Sequence, residues 1–385
     1  MTAKTSKRIL ILTATLGSGH LRAAEAIQSA LQFLDPACVT KIVDIKPLIS
    51  PFLRFFNFHG YEFLIEHASA VWRWLYRSSW VRHGKYAAPS FLLKHGNSRL
   101  LREVKSFAPD VIVSTQINCH ELSYFLCFHL APLPQRLAVI TDYDVHPVWS
   151  KLPCDLWVVA HPDLAKQLVE LGLDRLETAA FGIPIDLVFK KPLDRAGLMA
   201  RMGLNPDRRT ILLMGGSVGF GELHRVVNEL LKSKVPLQIL AIAAKNERVR
   251  AQLEQIRLAW EGVGPLADRS VLHVFGFVKN VPEFMSVADC FITKPGGLAT
   301  SEALVKKLPM LFVNPIAGHE ERNSDFFVRH GAAVSIRELS ELLPAIESLF
   351  QPESHTRMEM NRAAWNLAKP NAAVDLAEWI LHHTP

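Results

Sequence analysis

The chain has 385 residues, 49% of them hydrophobic and 21% charged, which excludes wholesale disorder and leaves room for two or three domains. Forty-three Lys and Arg against 37 Asp and Glu give a formal net charge of +6. The resulting pI near 9.0 fits an anionic partner: nucleic acid, an anionic membrane surface or a phosphorylated substrate.

Arg8 to Thr15 is a continuous apolar run and predicts a first, buried parallel β-strand. It leads into Gly17-Ser18-Gly19-His20, with no small-residue cleavage site, so the basic-then-apolar start is not read as a signal peptide. A helix follows with Leu21, Ala24, Ile27, Ala30, Leu31 and Leu34 on one face. Further strands are predicted around Val39–Ile45, Val111–Ser114, Leu137–Thr141 and Leu156–Ala160. Their alternation with helical stretches indicates βαβ units and a doubly wound sheet. Gly182-Ile183-Pro184-Ile185-Asp186 and the polar stretch Lys190–Arg209 read as a linker with a short helix. The pattern then restarts, with strands at Thr210–Met214, Leu237–Ala243, Val271–Phe275, Cys290–Thr293 and Met310–Val313, and a closing helix over Asn371–His383. The expectation is an α/β protein with two Rossmann-like halves, each with one glycine loop.

Between Phe52 and Phe91 the composition changes. Twelve of the 34 aromatic residues fall in this stretch, interleaved with Arg54, Arg73, Arg77, Arg82 and Lys85. No run in the chain reaches the roughly 18–20 apolar residues of a transmembrane helix. Cys38, Cys119, Cys127, Cys154 and Cys290 form no Cys-x-x-Cys and no metal-ligand spacing, so a reduced, cytoplasmic protein is expected.

Five segments carry chemistry. In Thr15-Leu16-Gly17-Ser18-Gly19-His20 the glycines permit close backbone approach, and a helix N-terminus disfavours the protonated form of His20, which suits a general base. The plain alternative is a histidine that only caps the helix. Gly215-Gly216-Ser217, with Gly219 and Gly221, offers amides to a phosphate but lacks the Gly-Lys-Ser/Thr ending of an ATP-binding loop. Lys294-Pro295-Gly296-Gly297 leads into a helix expected to be capped by Thr300 or Ser301, with Glu302 in its first turn. Asn314 to Asn323 is a polar loop after a strand, with carboxylates and amides that suit sugar hydroxyls. Asp142-Tyr143-Asp144 matches a metal-holding Asp-x-Asp by composition, but His146 does not complete a convincing set. Asp142 is better read as a cleft residue that orients a histidine or a substrate hydroxyl.

Taken in order, Gly-Ser-Gly-His, Thr-Asp…His-Pro-x-Trp, Phe-Gly-Ile-Pro-Ile, Gly-Gly-Ser, Phe-Gly-Phe-Val, Lys-Pro-Gly-Gly…Ser-Glu-Ala-Leu and Pro-x-x-Gly-x-Glu-x-x-Asn resemble the monogalactosyldiacylglycerol synthase and processive diacylglycerol glucosyltransferase group. That group lies within glycosyltransferase family 28. The likeness spans about residues 8–335. It implies a GT-B fold, two facing Rossmann-like domains with a cleft between them. Residues 1–186 would form the acceptor side, 187–370 the UDP-sugar side, and 371–385 a helix that packs back on the first domain.

By the same resemblance Gly17 and Gly19 belong to the acceptor loop, His20 is the base, and Asp142 and His146 are cleft residues near it. Gly216 and Ser217 look like diphosphate contacts, Phe277 and Val278 like the frame of the uracil, and Pro295, Gly296, Gly297 and Thr300 like a diphosphate-binding turn. Glu302 resembles a ribose-binding acid, and Glu320 and Asn323 resemble the residues that read the sugar. Two departures stand out. His319 occupies a position where many relatives carry Gln, and Thr15 and Ser18 stand where plant-type relatives have an aspartate and a third glycine.

The implied reaction moves a hexose from UDP-glucose or UDP-galactose to a lipid hydroxyl, most simply that of diacylglycerol, in one inverting displacement. UDP-sugar is then a substrate. Neither a metal cofactor nor a nucleic-acid partner is expected, and the oligomeric state stays open. The aromatic-basic stretch would suit a peripheral, monotopic enzyme on the cytoplasmic face of an anionic membrane, with Trp72, Arg73, Trp74, Arg77 and Trp80 at the interface; the plain alternative is a helical hairpin packed into the first domain. Three other readings compete: a UDP-sugar epimerase, a transferase acting on a polyprenyl or other lipid, and a non-catalytic sugar-nucleotide-binding protein.

Overall fold

The computed structural model describes residues 6–15, 18–51, 98–173, 177–215, 222–264, 269–315, 318–351 and 355–384. The aromatic-basic stretch, Gly17, Gly216 and Ser217 lie outside the described residues. The chain divides into two compact units: residues 1–187 with 316–322 and 369–385, and residues 188–315 with 323–368.

In the first unit β1 (Arg8–Thr13), α1 (Gly19–Leu34), β2 (Val39–Asp44), α2 (Ser98–Phe107), β3 (Val111–Ser114), α3 (Ile117–Cys127), β4 (Gln135–Val139), β5 (Leu156–Val158), α4 (Pro162–Glu170) and β6 (Thr178–Ala179) alternate along the chain. All strand pairs are parallel, in the order β2-β1-β3-β4-β5-β6. β1, β3 and β5 are buried along nearly their whole length, which is why they read as unbroken apolar runs. Order reverses between β1 and β3, so the loops that follow these two strands flank a topological switch point.

The second unit repeats the plan. α5 (Arg195–Arg201), β7 (Arg209–Met214), α6 (Leu223–Leu230), β8 (Leu237–Ile242), α7 (Glu247–Glu261), β9 (Val271–Phe275), α8 (Val281–Val287), β10 (Cys290–Thr293), α9 (Gly297–Val305), β11 (Met310–Val313), α10 (His319–Arg329, of which residues up to Arg322 are grouped with the first unit), β12 (Ala333–Ile336), α11 (Leu342–Phe350) and α12 (Thr356–Leu367) follow in turn. The sheet order is β12-β11-β10-β7-β8-β9, again all parallel, with its switch point between β7 and β10.

The last helix, α13 (Ala372–His383), belongs to the first unit. Ala373, Leu376, Ala377 and Ile380 join Ala24, Ile27, Ala30 and Leu31 of α1 in one apolar cluster. Lys7 Nζ donates to the main-chain oxygens of Leu381 and Thr384 at 2.7 and 2.6 Å, giving the carbonyl end of α13 a positive partner. Gly182 sits where this helix approaches. Its φ is +102°, and a Cβ there would collide with that of Lys369 and press tightly on that of Ala372. The glycine of Phe-Gly-Ile-Pro-Ile is therefore demanded by packing.

One device recurs in both sheets. Asp110, Asp155 and Asp289 directly precede β3, β5 and β10, and each accepts the main-chain N–H of a residue at the start of the neighbouring strand: Arg8 at 2.7 Å, Arg136 at 2.7 Å and Thr210 at 2.8 Å. Two strands escaped the sequence reading, β6 and β12. Both are edge strands, short and only partly buried, so neither displays the apolar run of a central strand.

Candidate active site

The chain enters α1 at Gly19; the N-cap Ser18 makes no side-chain capping bond, and the first turn carries no acidic residue. His20 is the second residue of the helix. Its Nδ1 lies 2.9 Å from the main-chain oxygen of Thr115 and 2.9 Å from Thr141 Oγ1. Thr115 follows β3 and Thr141 follows β4, so adjacent strands deliver both partners to one imidazole nitrogen.

A carbonyl oxygen can only accept, so Nδ1 carries the proton and Nε2 keeps its lone pair. Burial, the largest influence, lowers the His20 pKa below 6.5; the Asp142 charge and the Thr115 carbonyl act against this, and His319 acts with it. The ring is therefore neutral at pH 7, with its basic nitrogen on the side away from Thr115. This is the protonation state and tautomer that a general base requires.

Asp142 acts on His20 through charge. His146 caps the short 3-10 turn Pro147–Lys151, its Nδ1 accepting from Val148 N–H at 3.2 Å. Asp144 accepts from Arg322 at 2.9 Å, with the two side chains 12% and 26% exposed. The second acid of the Asp-x-Asp triplet is thus already paired within the first unit. On the other side of the loop, Thr15 Oγ1 donates to Asp44 Oδ2, and Asp44 also accepts from Lys46 N–H at 2.9 Å.

Sequence reasoning did not single out Thr115 or Asp44. The one signal for Thr115 was its place directly after the short apolar strand Val111–Ser114. Thr141 stood at the head of a motif but carried no assigned role.

In the second unit the ends of β7, β10 and β11 lie side by side, and the turn after β10 leads directly into α9. The chain differs here from the sequence expectation. α9 begins at Gly297 with Gly296 as its N-cap, φ −75° and ψ 134°, and has no side-chain cap. Thr300 and Ser301 lie inside the helix. Their hydroxyls donate back to the Gly296 and Gly297 carbonyls at 2.7–2.9 Å, a bonding pattern that small hydroxyl side chains adopt within helices. Glu302 consequently falls in the second turn, and no acid occupies the first. A dipole-compensating role for Glu302 is removed.

The early start leaves the amides of Gly297, Leu298 and Ala299 at the open end of the helix, without intrahelical acceptors. A Cβ at Gly296 would meet no atom within 4 Å, and its φ is ordinary. The fold itself does not require glycine there. Pro295 is held by Asn323, which donates to its main-chain oxygen at 2.9 Å. Glu320 and Asn323 are both buried, at 8% and 0% exposure, and stand three residues apart on one face of α10. Asn314 adopts φ +47° and donates to Glu222 at 2.8 Å, pinning the start of the same loop. Phe277 is 50% exposed, with Lys245 Nζ 5.4 Å from its ring centre; beside it Val278 is half-buried.

Two family models divide the chain between them: monogalactosyldiacylglycerol synthase over residues 20–185 and the glycosyltransferase family 28 C-terminal domain over residues 210–378. Among curated proteins, the chain is 27% identical over 377 residues to a processive diacylglycerol beta-glucosyltransferase of Bacillus licheniformis, covering 96% of this chain and 94% of that protein. A protein of the same name from Bacillus mycoides is 26% identical, covering 97% and 93%. Among solved structures, Acinetobacter baumannii MurG matches with a TM-score of 0.64 at 18% identity, covering 98% of this chain and 99% of that one. The S. aureus MnaA–UDP structure matches with a TM-score of 0.61 at 13% identity, covering 98% and 96%. At these identities the solved structures speak for the fold, which is the α/β GT-B fold. The chain belongs to the glycosyltransferases that join a monogalactosyldiacylglycerol synthase domain to a family 28 C-terminal domain.

Proposed function

We propose that the protein transfers a hexose from a UDP-sugar to the free hydroxyl of diacylglycerol, with His20 as general base. The observation that carries this reading is the bond from His20 Nδ1 to the Thr115 carbonyl, which leaves Nε2 as the free basic nitrogen of a neutral ring. The acceptor hydroxyl oxygen attacks the anomeric carbon as Nε2 takes its proton. The bond from that carbon to the diphosphate oxygen breaks, and UDP leaves with the electron pair. One displacement inverts the anomeric configuration.

In the second unit, the amides that open α9, with the glycine loop after β7, donate hydrogen bonds to the diphosphate oxygens. Open space in front of Gly296 supports close approach of that group. The half-exposed Phe277 ring offers a stacking face to the uracil, and Glu302 is placed one turn into the helix for the ribose diol. Glu320 and Asn323 read the hexose. Glucose is named in the curated relatives and galactose in the first family model, and both donors enter the test.

The acceptor is met at an anionic membrane surface. The support is compositional: twelve aromatics and five cations between Phe52 and Phe91. Among the described residues no helix is long and apolar enough to cross a membrane.

The decisive assay incubates the protein with labelled UDP-glucose or UDP-galactose and diacylglycerol liposomes, and weighs the lipid product by mass spectrometry. A labelled hexosyl-diacylglycerol is expected. Conversion of the free sugar nucleotide without lipid labelling would sink the transferase reading in favour of epimerisation. In parallel, a Trp72→Ser/Trp74→Ser/Trp80→Ser variant should float less with anionic liposomes, and equal flotation of the folded variant removes these residues from membrane docking.

A further inference from the structure

The second unit contains a cavity of about 470 Å³ that the transfer reaction does not use. Arg209 begins β7, and Asp289 and Pro309 directly precede β10 and β11. The cavity therefore opens at the N-terminal edge of the sheet, whereas the donor turn and glycine loop follow the C-terminal ends of the same strands. Its volume lies in the range of small-ligand sites, roughly 300–1,000 Å³.

The charge of its lining is lopsided. Arg195, Arg209, Lys306, Lys307 and Arg357 face it against a single carboxylate, Asp289. Asp289 is 9% exposed and already heavily engaged. Its Oδ2 accepts from Thr210 N–H at 2.8 Å and its Oδ1 from Arg195 at 3.2 Å, with Arg357 and Arg209 at 3.6 and 4.0 Å from the same oxygen. Lys306 Nζ donates to the Lys191 carbonyl at 3.3 Å, a neutral acceptor, and burial lowers its pKa. Lys307 Nζ sits 4.4 Å from the Trp365 ring centre, which again supplies no counter-charge. Four positive charges thus remain unanswered among the lining residues. Holding them together costs free energy that a bound anion relieves. Guanidinium forks match phosphoryl oxygens in geometry, and three converge here.

We propose that this cavity is a second anion site, separate from the donor site, for a phosphoryl group bearing at least two negative charges. Two sources share that chemistry: a free phosphate compound and the headgroup of an anionic phospholipid. The three arginine side chains are 32–44% exposed, so the site is open to either.

The probes are inorganic pyrophosphate, followed by isothermal titration, and vesicles containing phosphatidic acid, followed by flotation. Both are applied to the full chain and to an Arg209→Gln/Lys306→Gln/Lys307→Gln variant, in which the donor and acceptor loops are unaltered. A loss of about tenfold or more in pyrophosphate affinity identifies a free phosphate ligand. Weakened flotation with no difference in titration identifies a lipid headgroup. Unchanged titration and unchanged flotation in the folded variant overturn the proposal. If the variant does not fold, the wild-type chain still decides. Pyrophosphate or the vesicles should slow acetylation of Lys306 and Lys307 relative to the exposed Lys232 and Lys234, read by mass spectrometry, and equal rates at all four overturn the site.

Discussion

His20 Nδ1 and the main-chain oxygen of Thr115 are 2.9 Å apart, and that single contact decides which imidazole nitrogen is basic. Replacing His20 with Ala should lower hexosyl transfer by about 10²–10⁴-fold, the usual weight of a positioned general base. UDP binding should stay near the wild-type value, because the proposed contacts to uracil, ribose and diphosphate lie in the other unit. Turnover near wild type would remove His20 from the base role.

The pH profile carries its own test. The His20 pKa is lowered from 6.5, and the base is lost when the ring protonates. The rate should therefore hold as pH falls to 6.5 and decline only below it. The Asp142 charge raises this pKa, so Asp142→Asn should move the acid limb to still lower pH. A variant that alters KM for the lipid but leaves the limb in place would assign Asp142 to acceptor binding instead.

Two glycines should respond in opposite ways. Gly296 has an ordinary φ and open space where a Cβ would stand. Gly296→Ala should melt close to wild type yet bind UDP about tenfold or more weakly, since the methyl group intrudes on the diphosphate position. Gly182 has φ +102° and is crowded by Lys369 and Ala372. Gly182→Ala should destabilise the first unit by about 2–4 kcal/mol. A stable Gly182→Ala protein, or undiminished UDP affinity in Gly296→Ala, would contradict these assignments.

His120 is a structural histidine. Its Nε2 donates to the Leu152 carbonyl at 2.9 Å, its Nδ1 is buried without a hydrogen-bond partner, and its ring packs against Trp149 and Trp157 with centroids 5.6 and 5.0 Å away. Burial lowers its pKa to about 4. Between pH 4 and 6.5 the unfolded chain binds a proton that the folded chain does not, so stability falls as pH is lowered through this window. The full effect is about 3 kcal/mol. His20 adds to it with the same sign. Urea unfolding of His120→Leu should show a shallower dependence on pH over this range, and an unchanged slope would refute the account.

Asp144 is engaged by Arg322, which leaves Asp142-Tyr143-Asp144 poorly furnished as a cation site. Transfer activity should accordingly change by less than about twofold in the presence of EDTA, a margin within which no directly coordinated charge would be lost. A steep loss restored by a divalent cation would return the triplet to a metal role.

The order of the motifs and the apolar runs of central strands were legible in the sequence because both are local. Val111–Ser114, Val271–Phe275, Cys290–Thr293 and Met310–Val313 have the same bounds in the structure as in the sequence reading. Buried parallel strands must be apolar along their length, and glycine loops must sit between strand and helix. What is not local was not legible. The start of α9 moved to Gly297 because Thr300 and Ser301 bond back into the helix instead of capping it, and side-chain composition does not distinguish these two uses. Edge strands β6 and β12 lack the two-sided burial that marks a strand in sequence.

By itself, then, the sequence determined the fold class, the two-unit plan and the candidacy of His20. Only the tertiary structure decided the state of that histidine. Its partners Thr115 and Thr141 come from 95 and 121 residues away, brought together by a strand order that reverses at β1 and β3. The same holds for the five cations around Asp289, which are scattered from 195 to 357 and meet only because α5, β7, α9 and α12 converge at one edge of a sheet. Hydrophobic periodicity specifies elements, whereas the protonation of a ring or the charge of a cavity depends on what distant elements place beside it.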